Sequence, residues 1–234
     1  MDQAATSLAQ HLVNKLQQTP TNDRLLVGIC GIPASGKSVF SDLLERCTNK
    51  LLETSGQQSR AVLVGLDGWH LTRAQLDQFP DPKLAHSRRG IHWTFDGPAY
   101  LAFVKSLRTP LDASPVITAP SFDHAVKDPT PDAVTIRPHH RIVIIEGLYT
   151  CLSVDHWAEA GRLLDERCYL RLDIEEARQR LVKRHVLTGI TQTLDDAHFR
   201  AEQNDMPNGT FIIENMLEPT RIIDSVEDPA FKLA

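Results

Sequence analysis

The chain has 234 residues, of which 41% are hydrophobic and 24% charged, and its formal net charge is −5 at neutral pH. This length provides an ample core for one α/β domain, with or without an insertion. The acidic balance argues against a nucleic-acid-binding surface, which usually carries a basic excess, and no apolar run reaches the roughly 18 residues of a membrane span.

The first predicted element is an amphipathic helix over residues 2–18. Its apolar residues Leu8, Leu12, Val13 and Leu16 recur at helical spacing. A mitochondrial presequence is the alternative, because Asp2 is the one acidic residue of this stretch. Transit peptides favour arginine, however, and the stretch contains none. We therefore expect a helix that packs on the domain.

A phosphate-binding loop is predicted after the first strand. Residues 24–30 form an apolar run of strand length, and residues 39–52 have helical spacing. Between them, Gly-Ile-Pro-Ala-Ser-Gly-Lys-Ser at 31–38 matches G-x-x-x-x-G-K-[ST] throughout. The glycines let backbone N–H groups turn inward at the positive end of the following helix. Lys37 supplies a cation for the β- and γ-phosphates and Ser38 a Mg²⁺ ligand.

The chain is therefore expected to bind a nucleoside triphosphate. Nine residues form the predicted nucleotide site: Gly31, Ile32, Pro33, Ala34, Ser35, Gly36, Lys37, Ser38 and Val39.

Four further strands are predicted, and each runs into an acidic residue. They are 60–66 before Asp67, 141–145 before Glu146, 167–172 before Asp173 and 220–223 before Asp224. Helical segments alternate with them at 37–53, 96–107, 155–164, 175–188 and, in pieces, 195–217. This alternation predicts an α/β fold, a three-layer sandwich whose parallel sheet has helices on both faces. We expect one domain over 1–234, with an acceptor-binding insertion at 68–140 and lid helices at 175–205.

Two of the acidic residues are candidates for chemistry, because ligands of parallel sheets bind at the carboxyl ends of the strands. Asp67 opens the segment Asp-Gly-Trp-His and could take the proton of an incoming hydroxyl as a general base. A turn or helix-cap aspartate is the alternative, since Asp-Gly is a common turn pair. Glu146 closes a continuous apolar strand, in the position of an acidic residue that helps to hold Mg²⁺. The predicted metal ligands are Ser38, Glu146 and Asp67.

A basic cluster lies on the helix after Asp173. Arg180 and Arg184 are four residues apart and share a face. Such a helix can close over the triphosphate and neutralise the charge of the transferring phosphoryl group, while a solvated face that balances neighbouring glutamates is the alternative. We predict Arg180 and Arg184 to be catalytic, together with Lys37 and Asp67. The remaining members of the cluster are Arg178, Lys183 and His185.

The stretch 68–140 is rich in Pro, Asp, His and Arg, and few of its apolar runs are long. We expect an irregular, functional insertion. Its polar groups stand beside aromatic residues, which suits a small polar acceptor, and an arginine pair would suit a carboxylate or phosphate on that acceptor. The predicted acceptor-binding residues are His70, Arg88, Arg89, His92, Phe95, Asp96, Phe122, Asp123 and His124.

Taken together, the motifs at 31–38, 67–70, 94–96, 120–124, 146–147 and 178–185 resemble the phosphoribulokinase/uridine kinase/pantothenate kinase family of P-loop small-molecule kinases. The likeness spans about residues 24–224. It implies a P-loop NTPase fold, an ATP donor, Mg²⁺, often a homodimer, a base at Asp67, and an acceptor pocket at 95–96 and 122–123. Trp69 stands where that family usually has Phe, and 77–83 and 88–90 do not match the uridine kinase pattern. The fold does not imply the acceptor.

Our interpretation is an ATP-dependent kinase that phosphorylates a hydroxyl of a small metabolite, such as a nucleoside, a sugar or a pantothenate-like acceptor. The alternatives are a nucleotide-hydrolysing switch and a kinase-like interaction module without turnover. A GTPase switch would need Asn-Lys-x-Asp, and Asn49-Lys50 lacks the final Asp. The presence of Lys37, Ser38, Asp67 and Glu146 argues against a decayed site. We expect no nucleic-acid or membrane partner.

The four cysteines, at 30, 47, 151 and 168, show neither a C-x-x-C spacing nor a Cys/His metal pattern. Cys30 and Cys168 lie in apolar, strand-like runs. We expect reduced, buried thiols, as in an intracellular protein, and a cytoplasmic location.

Overall fold

A parallel sheet forms the centre of the fold, as the computed structural model shows for residues 1–112, 116–123, 126–189 and 191–226. The strands of the described residues are β1 (Leu25–Gly31), β2 (Arg60–Gly65), β3 (Ile117–Asp123), β4 (Asp128–Ile136), β5 (His140–Glu146), β6 (Glu166–Arg171) and β7 (Arg221–Asp224). Five of them form the central sheet in the order β2-β5-β1-β6-β7, and all neighbours in it are parallel.

Helices cover both faces of this sheet. A π-helical turn over Ala201–Asp205, here called the π-turn, joins two of them. The α-helices are α1 (Asp2–Gln18), α2 (Lys37–Thr54), α3 (Arg73–Leu76), α4 (Pro82–Ser87), α5 (Gly97–Leu107), α6 (Asp155–Arg162), α7 (Ile174–Leu187), α8 (Leu194–Arg200) and α9 (Met206–Glu214).

Successive side chains of the central strands enter two different cores, because strand residues alternate between the faces of a sheet. In β1, Leu25 and Val27 pack into the core that contains buried residues of α1 and α2. Leu26 packs into the opposite core, with buried residues of α5 and α6. In β5, the buried Ile144 and Ile145 divide in the same way. The predicted three-layer α/β sandwich is confirmed.

A buried carboxylate, that of Glu166 at the start of β6, fastens α1 to the sheet. His11 Nε2 and Lys15 Nζ lie 2.8 and 2.6 Å from its Oε1, and the Thr220 hydroxyl donates to Oε2 at 2.6 Å. Burial by itself would raise the pKa of Glu166, but the hydrogen bonds from Lys15, Thr220 and His11 outweigh it and lower the pKa to about 2. The carboxylate therefore stays charged and binds α1 at ordinary pH.

The segment between β2 and β5 is more regular than its composition indicates. β3 and β4 form an antiparallel hairpin in which Ile117 pairs with Ile136. The expectation of irregular backbone is therefore wrong for this part of the insertion. Prolines such as Pro120 and Pro129 argued against strands at these positions in the sequence. A two-stranded ribbon tolerates them because both of its strands are edge strands.

Two glycines bring the ends of β2, β5 and the hairpin together. A Cβ on Gly68 would lie 2.3 Å from the Pro120 carbonyl oxygen, so the hairpin backbone rests directly on the turn after β2. A Cβ on Gly147 would lie 2.3 Å from Leu66 Cβ. No other residue type fits at these contacts without movement of the backbone, and the contacts place Asp67 and Glu146 at one edge of the sheet.

The thiols agree with the sequence-based expectation. Cys30, Cys47, Cys151 and Cys168 are free, and all but Cys47 are buried. Within the described ranges, no helix combines the length and the apolar character that a membrane crossing requires.

Candidate active site

The predicted phosphate-binding loop wraps around the first turn of α2. Ala34 and Gly36 have positive φ values of 62° and 84°. Alternation of left- and right-handed residues turns successive N–H groups toward one concave side, which suits an anion. Gly36 is the N-cap of α2 and provides no side-chain hydrogen bond to it. The first N–H groups of α2 therefore lack a side-chain cap, and a phosphate can accept from them.

Lys37 lies at the centre of this loop and is only 9% exposed. Its Nζ donates to the Ile32 carbonyl at 3.0 Å. Burial lowers the pKa of Lys37, while the carboxylates of Glu146 and Asp67 oppose that effect. The ammonium has three donors and this bond uses one of them, so donors remain for phosphate oxygens.

Ser38 and Glu146, two of the three predicted metal ligands, lie next to each other. The Ser38 hydroxyl lies 3.4 Å from each carboxylate oxygen of Glu146. Burial raises the pKa of Glu146 to about 7, although Lys37 lowers it, and Asp67 adds to the increase. This half-buried carboxylate is short of positive charge, which a divalent cation would supply. The described residues contain no group of three or more His, Cys, Asp or Glu side chains placed for a metal, and Mg²⁺ bound largely by phosphates and waters needs none.

Asp67 lies in the turn Leu66–Trp69 that follows β2. Its side chain is 39% exposed, so an incoming hydroxyl can reach it. His70 Nδ1 lies 2.8 Å from the Asp67 carbonyl oxygen and 3.8 Å from Oδ1. The residue thus shapes a turn, as the alternative prediction had it, and also presents a carboxylate beside Lys37.

Helix α7, which we predicted to belong to a lid, lies beside the phosphate-binding loop. Arg180, Lys183 and Arg184 line the same cavity as Gly36 and Lys37. Arg180 Nη1 donates to Ser225 Oγ at 3.1 Å, and that hydroxyl donates to the Ser35 carbonyl at 2.8 Å. Arg180 Nη2 also donates to Glu176 at 2.5 Å, a glutamate pairing of the kind that the alternative prediction described. The structure brings both predicted lid arginines to the phosphate-binding loop, and it pairs one of them with a neighbouring glutamate.

The remaining basic residues of α7 serve different roles. Arg178 pairs with Glu175 at 2.5 Å, which fits a balanced, solvated face. His185 is 3% exposed and its Nε2 lies 2.8 Å from Asp205 Oδ2 in the π-turn. Lys183 lines the cavity. The sequence placed these residues in one cluster, but only part of that cluster faces the loop.

Four of the predicted acceptor-binding residues come together beside Asp67. The His70 ring lies 3.9 Å from the Phe95 ring and 4.7 Å from the Phe122 ring, measured between centroids. The Arg89 guanidinium lies 5.4 Å from the centroid of Phe122. This cluster provides flat, partly apolar surfaces next to the candidate base.

The guanidinium of Arg89 is already occupied by protein acceptors. Nη2 donates to the Leu71 carbonyl at 2.7 Å and to Asp128 Oδ1 at 3.0 Å, and Nη1 donates to the Lys127 carbonyl. Asp128 accepts from Arg73 as well. Arg89 therefore joins the hairpin to the turn after β2, and its charge is matched by Asp128.

The other predicted acceptor residues are dispersed. Arg88 Nη1 donates to the Gln203 carbonyl in the π-turn. The His92 ring stacks on Phe211 of α9 with centroids 4.9 Å apart. Asp96 caps α5 by accepting from the Ala99 N–H at 3.0 Å. Asp123 pairs with Asp128 across the hairpin, and His124 lies outside the described residues.

Sequence reasoning missed two residues that shape this region. Tyr149 is buried and its hydroxyl donates to the Gly90 carbonyl at 2.7 Å; its place three residues after Glu146 was an available signal. Asp128 gave no local signal, because its partners Arg89 and Arg73 lie 39 and 55 residues away in sequence.

Comparison with known proteins identifies the family. No protein-family model matches the chain. A Schizosaccharomyces pombe protein provisionally named uridine kinase C227.14 is 35% identical over 203 residues, which cover 87% of this chain and 84% of that protein. ATP-dependent kinase-like protein notR' of Aspergillus versicolor is 48% identical over 153 residues, 65% of this chain and 89% of its own length.

A solved structure supports the same relationship. The crystal structure of a Silicibacter sp. TM1040 protein, provisionally named a fructose transport system kinase, superimposes with a TM-score of 0.80 at 27% identity. The match covers 94% of this chain and 98% of that one. With relatives aligned over most of both chains and a phosphate-binding loop in place at the sheet edge, the chain belongs to the uridine kinase-like family of P-loop kinases.

Proposed function

We propose that the protein is an ATP-dependent phosphotransferase that phosphorylates a hydroxyl group of a small metabolite. The observation that carries this proposal is the convergence of Lys37, Ser38, Glu146 and Asp67 at one edge of the sheet, with an aromatic cluster alongside. The names of the relatives, which include ATP-dependent kinases, support the same activity.

In the proposed reaction, the N–H groups of the loop and Lys37 hold the phosphates of ATP. The acceptor hydroxyl gives its proton to the Asp67 carboxylate while its oxygen bonds to the γ-phosphorus. The bond between that phosphorus and the bridging oxygen breaks, and ADP leaves with the electron pair. Arg180 and Arg184 stabilise the charge that spreads over the transferring group.

Ser38 and Glu146 are the residues that would hold Mg²⁺. Their hard oxygen atoms and the partly desolvated charge of Glu146 fit this ion. When bound, Mg²⁺ supplies positive charge to the β- and γ-phosphate oxygens.

The acceptor class that we propose is a neutral, polyhydroxylated molecule. Arg88 and Arg89 are the residues that an anionic acceptor would need, but Arg89 is bound to Asp128 and Arg88 to the π-turn. The half-buried ring of Phe122 suits a sugar or nucleoside ring, whereas Phe95 is buried in the core behind this cluster's surface. Two relatives are named for acceptors of this kind, one for uridine and one for fructose.

The test is ATP consumption by the purified protein with a panel of nucleosides, sugars, pantothenate and phosphorylated sugars, followed by mass analysis of the product. A kinase consumes ATP only when an acceptor is present, and we expect a nucleoside or sugar to be that acceptor. Acceptor-independent hydrolysis would favour a regulatory switch, and nucleotide binding without turnover an interaction module. A homodimer, a cytoplasmic location and the absence of nucleic-acid partners stay predictions.

A further inference from the structure

The π-turn occupies a junction between the lid and the insertion. It follows α8 directly and leads into α9. Arg88 of the insertion donates to its Gln203 carbonyl, and its last residue, Asp205, is the partner of His185 on the lid. Single π-turns are rare and are frequent at functional sites.

The pair formed by His185 and Asp205 is internal to the lid. His185 is among the buried polar residues, and its Nε2 donates to Asp205 Oδ2 across 2.8 Å. Next to it, Leu181 and Val182 pack with Ala201, and Ala34 of the phosphate-binding loop contacts this cluster. The pair therefore fixes α7 to the π-turn close to the loop.

Arg184 precedes His185 on α7 and lines the cavity over the loop. In the part of the chain that the structure describes, its guanidinium makes no hydrogen bond or ion pair. Burial lowers the pKa of Arg184, and the Asp205 carboxylate opposes that effect. The negative charge of Asp205 thus partly offsets the cost of burying the Arg184 guanidinium. The same carboxylate accepts a hydrogen bond from the neighbouring His185.

We propose that the His185–Asp205 hydrogen bond holds Arg184 over the phosphate-binding loop, so that Asp205 is a positioning residue for the transferring phosphoryl group. This inference rests on the proposed function. Asp205 itself need not touch ATP, because its effect passes through the adjacent lid arginine. Loss of the carboxylate would free α7 to turn relative to the π-turn, and small misplacements of a positioned group can lower rates by up to about 100-fold.

The experiment is a double-mutant cycle with Asp205→Ala, Arg184→Ala and the combined variant. Alanine is used at position 205 because an asparagine oxygen could still accept from His185 Nε2. One readout is the affinity for ADP with aluminium fluoride and Mg²⁺, a mimic of the transferring phosphoryl group, measured by calorimetry. The second is kcat with the acceptor found above. Glu202→Ala is the matched control, because it removes a carboxylate from the same π-turn at an exposed side chain.

We expect Asp205→Ala and Arg184→Ala each to weaken binding of the mimic about tenfold or more, and the combined variant to match Arg184→Ala alone. Glu202→Ala should behave like the parent. His185→Gln, which keeps a side-chain donor for Asp205, should retain most of the affinity that His185→Ala loses. The two His185 variants replace Asp205→Ala in the cycle if that variant does not fold.

Multiplied losses in the combined variant would overturn the inference, since Asp205 would then act independently of Arg184. Parental affinity in Asp205→Ala would overturn it too. If the parent binds the mimic but no acceptor stimulates ATP consumption, the proposed kinase function fails while the cycle still decides the role of Asp205. If the parent does not bind the mimic, both proposals fail.

Discussion

Replacement of Glu146 by glutamine should remove a half-buried charge that destabilises the folded protein at neutral pH. Burial raises the pKa of Glu146 from 4.5 to about 7 in the folded state. Below pH 4.5 the carboxyl is protonated in both the folded and the unfolded chain. As the pH rises from 4.5 to 7, the unfolded chain loses this proton first, so the free energy of unfolding falls. Above pH 7 the loss is complete and constant.

The size of the effect follows from the shift in pKa. Each unit corresponds to about 1.4 kcal/mol, so a shift of this size amounts to about 3 kcal/mol, and partial contact with solvent reduces it to about 2–3 kcal/mol. Glutamine does not titrate. The free energy of unfolding of the parent, minus that of Glu146→Gln, should therefore fall by this amount between pH 4 and pH 8.

Urea denaturation of both proteins, without nucleotide or metal, measures this difference across the pH range. Glu53→Gln, which makes the same change at an exposed position of α2, should show no comparable trend against the parent. With MgATP present, the parent should bind more tightly as the pH rises through 7, because the carboxylate must be ionised to hold the metal. A pH-independent difference between the parent and Glu146→Gln would refute the claim that Glu146 is a desolvated carboxylate.

Three further changes test individual contacts. Lys37→Ala should abolish the stabilisation by MgATP, which is about 2.7 kcal/mol at a hundredfold excess over Kd; an unchanged thermal shift would remove Lys37 from the site. Asp67→Asn should lower kcat by about 10²–10⁴-fold with ATP affinity little changed, and full turnover would make Asp67 a turn residue only. Gly147→Ala should lower stability by about 1–3 kcal/mol because of the contact with Leu66. Gly65→Ala, with nothing within 4 Å of the added Cβ, is its control in thermal denaturation, and equal melting temperatures would contradict the steric argument.

The nucleotide side of the site was predictable because its information is local in sequence. The loop, its strand and its helix occupy residues 25–54 without interruption. Lys37 and Ser38 follow from the motif itself, and Glu146 from its position at the end of a buried strand. The three-layer fold was predictable for a similar reason, since each strand has an apolar run of its own.

The acceptor side depends on contacts between distant residues, which one sequence does not reveal. Arg89 looked available for an anionic ligand because Asp128, its partner, lies 39 residues later. The hairpin that carries Asp128 has prolines in both strands and therefore lacks a strand pattern. On α7, the sequence showed a cluster of basic side chains but not which of them face the cavity and which face the interior. That difference depends on contacts with the π-turn, which has no sequence signature.

The Glu166 carboxylate links two parts of the chain that are far apart in sequence, α1 and the segment that enters β7. β7 is an edge strand that pairs with β6. Apart from that pairing, few contacts protect its amide protons from exchange with solvent. Local opening of either element breaks hydrogen bonds to a carboxylate that the other element also binds. Amide protons of α1 and β7 should therefore exchange with solvent as one cooperative unit, with a common opening free energy, and separately from the central strand β5.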